Sequence, residues 1–168
     1  MEELYNGTTK KLRVSRKLTD ATTGKQVAVE KVLTVQIKPG WKAGTKIKFP
    51  GEGDEMPDGR YQDIEFIIDE APHSMFTRDG DNLRMTIKLT LGESLLGFSR
   101  RVAMLDGKEL VVTNKNVTQP DQEFRFADRG MPNQKEPLKK GDLVIHCKVI
   151  FPSSLNDQQK ELIRQAHL

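Results

Sequence analysis

The only neighbouring pair in this chain that could act as a nucleophile with its base is His146-Cys147, and Cys147 is the only thiol. An imidazole activates a thiol when the two share a hydrogen bond. Here the pair sits in an alternating run, Leu143–Val149, and consecutive strand side chains point to opposite faces, so no dyad forms. The same alternation puts Cys147 with Leu143, Ile145 and Val149 on a core face. His73 and His167 have no sequence partner at the spacing of a triad or metal site. Carboxylates gather around Asp54, Glu55 and Asp58 and again at Asp79 and Asp81, without the ligand spacing and terminal Glu of an EF-hand. Gly51-Glu52-Gly53 is not followed by the Lys and Ser or Thr of a phosphate loop, nor by a helix start. These segments read as turns. One cysteine allows neither a CxxC site nor an internal disulfide. The expectation is that catalytic residues, metal ligands and cofactors are none.

What remains is surface chemistry, and composition narrows it. Charged residues make up 30% and hydrophobic ones 36%, with a net charge of +3, which describes a well-solvated chain with little pull toward nucleic acid. No RNP-like or zinc-finger signature appears. No apolar run approaches the ~18 residues of a membrane span, and Met1-Glu2-Glu3-Leu4 has no basic n-region. The single cysteine suits a reducing compartment, so a cytoplasmic location is expected.

Candidate binding residues lie in strands. Lys10–Lys17, read with period two, puts Leu12 and Val14 on one face between Lys10 and Arg16, and Lys11, Arg13, Ser15 and Lys17 on the other. Taken alone, that pattern fits a charged edge strand that discourages aggregation. Alternation also frames Pro39-Gly40-Trp41, through Val35 and Ile37 before and Ile47 and Phe49 after, which predicts two strands joined by a tight turn. Trp41 is expected to pin that turn against its own sheet.

Three echoes recur in the same order. Glu3–Lys11 matches Glu93–Arg101, Gly44–Gly53 matches Asp121–Gly130, and Asp63–Ile68 matches Asp142–Cys147, which suggests a duplicated β unit. Pro72 and the small residues of Glu70–Met75 read as the linker between the copies, and short strands separated by Asp-Gly turns favour antiparallel sheets. The predicted architecture is mainly β, with two tandem small antiparallel β-sandwich domains at 1–73 and 74–152 and a short C-terminal helix within 153–168. That helix is capped by Asn156 with Gln159 three residues on, and Leu162, Ile163 and Ala166 share one face. So short a helix must pack on something.

These motifs together resemble one family. IKPGWKAGTKIKFPGEGD (Ile37–Asp54), with LYNGTTKKL, FTRDGDNL, LGESLLGF, LDGKEL, RGMP, GDLVI and FPSSLNDQQKELI in order, is similar to the C-terminal region of DnaJ-type co-chaperones. The lone cysteine sets the chain apart from class A members, which carry four zinc-binding CxxCxGxG repeats, and makes it similar to class B. The resemblance implies a non-catalytic protein that holds extended apolar segments of unfolded clients for a DnaK-type ATPase. It implies a peptide-binding groove at Lys10, Leu12, Val14 and Phe66. It further implies contact with the acidic C-terminal tail of that ATPase through Lys10 and Lys31; a second tail lysine of relatives corresponds to Glu30 here, and Lys31 serves only from the opposite face. It implies a homodimer through Phe151, Leu155, Leu162 and Ile163. Neither a J domain nor a Gly/Phe linker is in the sequence, so the chain is expected to be a fragment, and a groove strand of relatives would lie ahead of Met1. The alternative is a β-sandwich adaptor for one dedicated partner peptide.

Overall fold

The computed structural model of the chain describes residues 1–166; His167 lies outside them. After a one-turn helix, α1 (Glu2–Asn6), strand β1 (Thr8–Thr19) alternates half-buried and exposed residues over its whole length, as a strand with one wet face does. Asp20 begins the turn that follows. Its carboxylate accepts the Thr22 and Thr23 N–H groups at 2.8 Å, and its own N–H bonds the Lys25 carbonyl at 2.9 Å. β2 (Gln26–Ile37) returns antiparallel, opposing Leu12 to Leu33 and Val14 to Lys31. β3 (Lys46–Phe49) and β4 (Ile64–Ile67) form a second antiparallel pair, Ile47 opposite Phe66 and Phe49 opposite Ile64. The Phe49 and Phe66 rings meet edge to face at 5.7 Å.

The second half repeats this plan and adds strands. β5 (Thr77–Asp79), β6 (Asn82–Thr90), β9 (Glu123–Phe126) and β10 (Leu143–Ile150) make one sheet in the order β5-β6-β10-β9. Beside it lies the hairpin of β7 (Phe98–Ala103) and β8 (Glu109–Asn114), reached through the short helix α2 (Leu91–Leu96). The fold is mainly β, built from small antiparallel sheets with one short C-terminal helix, as the alternation predicts. One pair, β6 with β10, runs parallel. Short turn spacings cannot show it, because its partners lie some sixty residues apart and are linked through the whole of β7–β9.

The echoes hold at the level of register. Ile47 opposite Phe66 becomes Phe124 opposite Ile145; Leu12 opposite Leu33 becomes Val102 opposite Leu110. An ion pair is repeated too: Lys10 reaches back to Glu3, and Arg100 to Glu93.

The halves are stitched together. Leu4 and Tyr5 of α1 share a core with Phe76, Leu83, Leu105 and Met131. Arg78, its side chain only 6% exposed, donates to the carbonyls of Gly40 (3.0 Å), Trp41 (2.8 Å) and Gly80 (2.9 Å) and pairs with Glu70. A buried guanidinium needs that many acceptors. Gly40 has a φ of +82°, and a β-carbon there would stand 2.4 Å from the Pro132 carbonyl oxygen, so only glycine permits this close approach. The turn around Trp41 is therefore held by the second half, and the indole packs against the shared core rather than only on its own sheet.

α3 (Asp157–Gln165) starts with a full capping box: the Asn156 side chain accepts the Gln159 N–H at 2.8 Å, and the Gln159 side chain accepts the Asn156 N–H at 3.0 Å. Among the described residues no helix is long and apolar enough to cross a membrane.

Candidate peptide-binding trough

The His146-Cys147 pair splits across the sheet. Cys147 is fully buried, which raises its thiol pKa, while His146 faces the other way toward Asp121 at 3.2 Å. His73 acquires partners that sequence spacing does not reveal: its Nδ1 accepts the N–H groups of Met75 and Phe76 at 3.1 Å, and its Nε2 meets Glu2 at 3.0 Å. This ring caps the linker. The Glu2 carboxyl is held below its ordinary range by its own backbone N–H, with burial opposing and His73 assisting.

Lys10, Leu12, Val14 and Arg16 share the half-buried face of β1, opposite Val35, Leu33, Lys31 and Val29 of β2. Leu33 and Val35 are buried as a floor; Leu12 and Val14 are only half-buried. Phe66 belongs to the neighbouring sheet, on the face it shares with Ile47, Phe49 and Ile64, and is also half-buried. Glu52, in the loop after β3, ties that sheet to the hairpin. It accepts two hydrogen bonds from Lys31, at 2.8 and 2.6 Å, and one from Arg16 at 3.2 Å. In the second half Val102, Ile145 and Phe124 occupy the positions of Leu12, Phe66 and Ile47 within one core, and Phe98, its ring 6.0 Å from that of Phe124, packs with them.

The charges around the apolar residues are partly spoken for. Lys10 pairs with Glu3 at one end, and Lys31 lies on the Val14 face, away from Glu30, which faces Arg13 at 3.4 Å. One carboxylate, Glu52, serves two cations. Sequence reasoning read Glu52 only as part of a turn, because nothing in its spacing announces a partner on β2.

Backbone groups complete the site. Asp20 N–H bonds Lys25, so even-numbered groups of β1 face β2 and odd-numbered ones face outward. Among the described residues, the N–H and C=O groups of Lys11, Arg13 and Ser15 have no partner. An apolar strip half open to water beside a bare strand edge can take up an extended polypeptide.

At the other end of the chain, Leu155, Leu162 and Ile163 line a cleft of 330 Å³ together with Leu91, Gly92, Leu95 and Pro152. Phe151 and Leu162 stay 64% and 57% exposed, so α3 covers only part of an apolar surface.

The chain is 50% identical over 160 residues to "Protein psi1" of Schizosaccharomyces pombe, covering 95% of this chain and 42% of that protein. It is 41% identical over 165 residues to "Protein SIS1" of Saccharomyces cerevisiae, covering 97% and 45%, and 37% identical over 166 residues to human "DnaJ homolog subfamily B member 5", covering 98% and 47%. It thus spans about half the length of these curated relatives. The family model described as DnaJ C terminal domain matches residues 1–152, the whole of both β units and the strand leading to α3, and the chain belongs to the DnaJ C-terminal domain family.

Proposed function

We propose that this chain is the client-holding and dimerising region of a class B DnaJ-type co-chaperone of the cytoplasm, and that it does no covalent chemistry. The observation that carries the reading is that Leu12, Val14 and Phe66 stand half open to water, with an unpaired edge at Lys11, Arg13 and Ser15 on the strand of the first two. A client laid along β1 gains backbone hydrogen bonds regardless of sequence, and its apolar side chains enter the trough. Each buried apolar side chain contributes about 1.5–3 kcal/mol, while association costs at least ~4 kcal/mol. Affinity is therefore weak, as release to a DnaK-type ATPase requires.

Lys10 and Lys31 flank the trough and serve the acidic tail of that ATPase. The tail's carboxylates replace Glu3 and Glu52, which already show the geometry each lysine accepts. Two chains join through Phe151, Leu155, Leu162 and Ile163, whose open apolar cleft a second copy fills. Two weak troughs on one dimer then hold one long chain by avidity.

The test replaces Leu12 and Phe66 together by Ser and measures suppression of aggregation of a thermally unfolded client. Suppression should be lost while circular dichroism shows the sheets still formed; full suppression by the double variant refutes the trough. A peptide array separates a general holder from an adaptor, since many unrelated apolar segments bind the first and one motif the second. Leu162→Asp should turn a dimer into a monomer in sedimentation, and a wild type already monomeric at high concentration overturns the helix assignment.

A further inference from the structure

The bare edge of β1 ends abruptly. At Lys17 the outward C=O accepts the Glu55 N–H at 2.9 Å, and the outward N–H donates to the Asp54 carboxylate at 2.7 Å. Two residues on, the Thr19 N–H donates to the Glu55 carboxylate at 2.5 Å. The segment that makes these bonds is itself a small closed hairpin. Gly53 N–H bonds the Gln62 carbonyl, Gln62 N–H bonds Asp54, Met56 N–H bonds Arg60, and Glu55 bridges to Tyr61. Its base is fastened under the trough by Glu52 on Arg16 and Lys31. The segment thus lies in the lane a client strand would follow.

We propose that Asp54 and Glu55 form a stop that sets the length of client segment this chain can pair with. The inference rests on the client-holding reading above and adds a size to it. The usable edge runs from Thr9, where Gly7 turns the chain into α1, to Ser15, before Lys17 is capped. Those seven positions span about 20 Å at ~3.4 Å per residue. A client gains hydrogen bonds at Thr9, Lys11, Arg13 and Ser15, whose outward groups have no partner among the described residues, and none past them. The preferred segment is therefore about seven extended residues, with apolar side chains at alternate positions for the Leu12 and Val14 strip. The stop also hides the outward groups of Lys17 and Thr19, so the long hairpin cannot pair edge to edge over its full length.

The experiment uses the full chain and end-blocked synthetic peptides of five, seven, nine and eleven residues with alternating Leu and Ser. Affinity should rise about five-fold from five to seven residues, the worth of one net hydrogen bond, and stay level to eleven. Amide hydrogen exchange gives a second readout. Lys11, Arg13 and Ser15 should exchange fast in the free protein and slow on binding of the seven-residue peptide, while Lys17 and Thr19 are slow in both states. A continued rise from seven to eleven residues, or new protection at Lys17 and Thr19, overturns the stop. In the variant Asp54→Ala with Glu55→Pro, which loses both the acceptor for Lys17 and the donor to it, the eleven-residue peptide should gain several-fold over wild type; if this variant does not fold, the exchange pattern of the wild type decides. No binding of any peptide refutes the client-holding reading instead, and is distinguished by that.

Discussion

Leu12 and Val102 hold the same place in two hairpins, and Phe66 and Ile145 the same place in two neighbouring sheets. Yet Val102 is 4% exposed and Ile145 fully buried, while Leu12 and Phe66 remain half open. The strands do not differ in register, so register is not the cause. The second half has β6 beside β10, and Leu83, Ile87 and Leu89 of that strand are buried in its core. Among the described residues, β4 is paired with β3 alone. Where β6 packs, the matching apolar residues are interior.

Substitution at matched positions breaks this comparison most sharply. Ile145→Ala should lower unfolding free energy by about 2–5 kcal/mol in denaturant titrations, the cost of emptying a sealed core site. Leu12→Ala should cost about 1 kcal/mol, because that side chain already keeps part of its surface in water. Equal costs at the two positions would show the trough to be closed.

Gly40→Ala tests the seam between the halves. Its backbone sits at a φ that L side chains avoid, and the new methyl meets the Pro132 carbonyl. A loss of about 1–3 kcal/mol is expected, with the single tryptophan, Trp41, as fluorescent reporter of the neighbouring turn.

Acid should loosen the same seam. Burial of Asp81 would raise its pKa, but the Lys42 ammonium at 3.0 Å and a hydrogen bond from Asn133 outweigh this and hold the carboxyl below its ordinary value of 3.8. A group whose folded pKa is lowered adds stability that is fully present above its unfolded value and fades as the pH falls through the folded one. Trp41 fluorescence should therefore change as the pH falls below that ordinary value, and the Asp81→Asn variant should lack this component of the change. Identical profiles would remove Asp81 from the seam.

The smallest effect is expected where the halves agree. Lys10→Met and Arg100→Met each break an exposed ion pair to a glutamate three residues before the paired helix ends. Each should cost less than about 1 kcal/mol. Only the first should weaken binding of a synthetic acidic peptide, measured by titration calorimetry, since only the first belongs to the proposed trough.

Much of this was legible in the residues. Alternation in Lys10–Lys17 gave the two faces of β1, the Asn156 and Gln159 spacing gave the start of α3, and the three echoes gave a duplication whose register the sheets reproduce. Glu52, Asp54 and Glu55 were read merely as turn residues. Their partners, Arg16, Lys31, Lys17 and Thr19, stand more than twenty positions away, and no local period encodes such a meeting. The same holds for Arg78 and Gly40, which join one half to the other.

Which side chains share a face follows from the order of residues alone, because strand periodicity is a property of the local backbone. Only the tertiary structure decided which faces are sealed. Exposure depends on what else packs there: Ile145 is sealed by β6 running beside β10 and by the core around it. It likewise decided where an open edge stops, since the hydrogen bonds that cap Lys17 come from a loop the chain reaches only after two more strands.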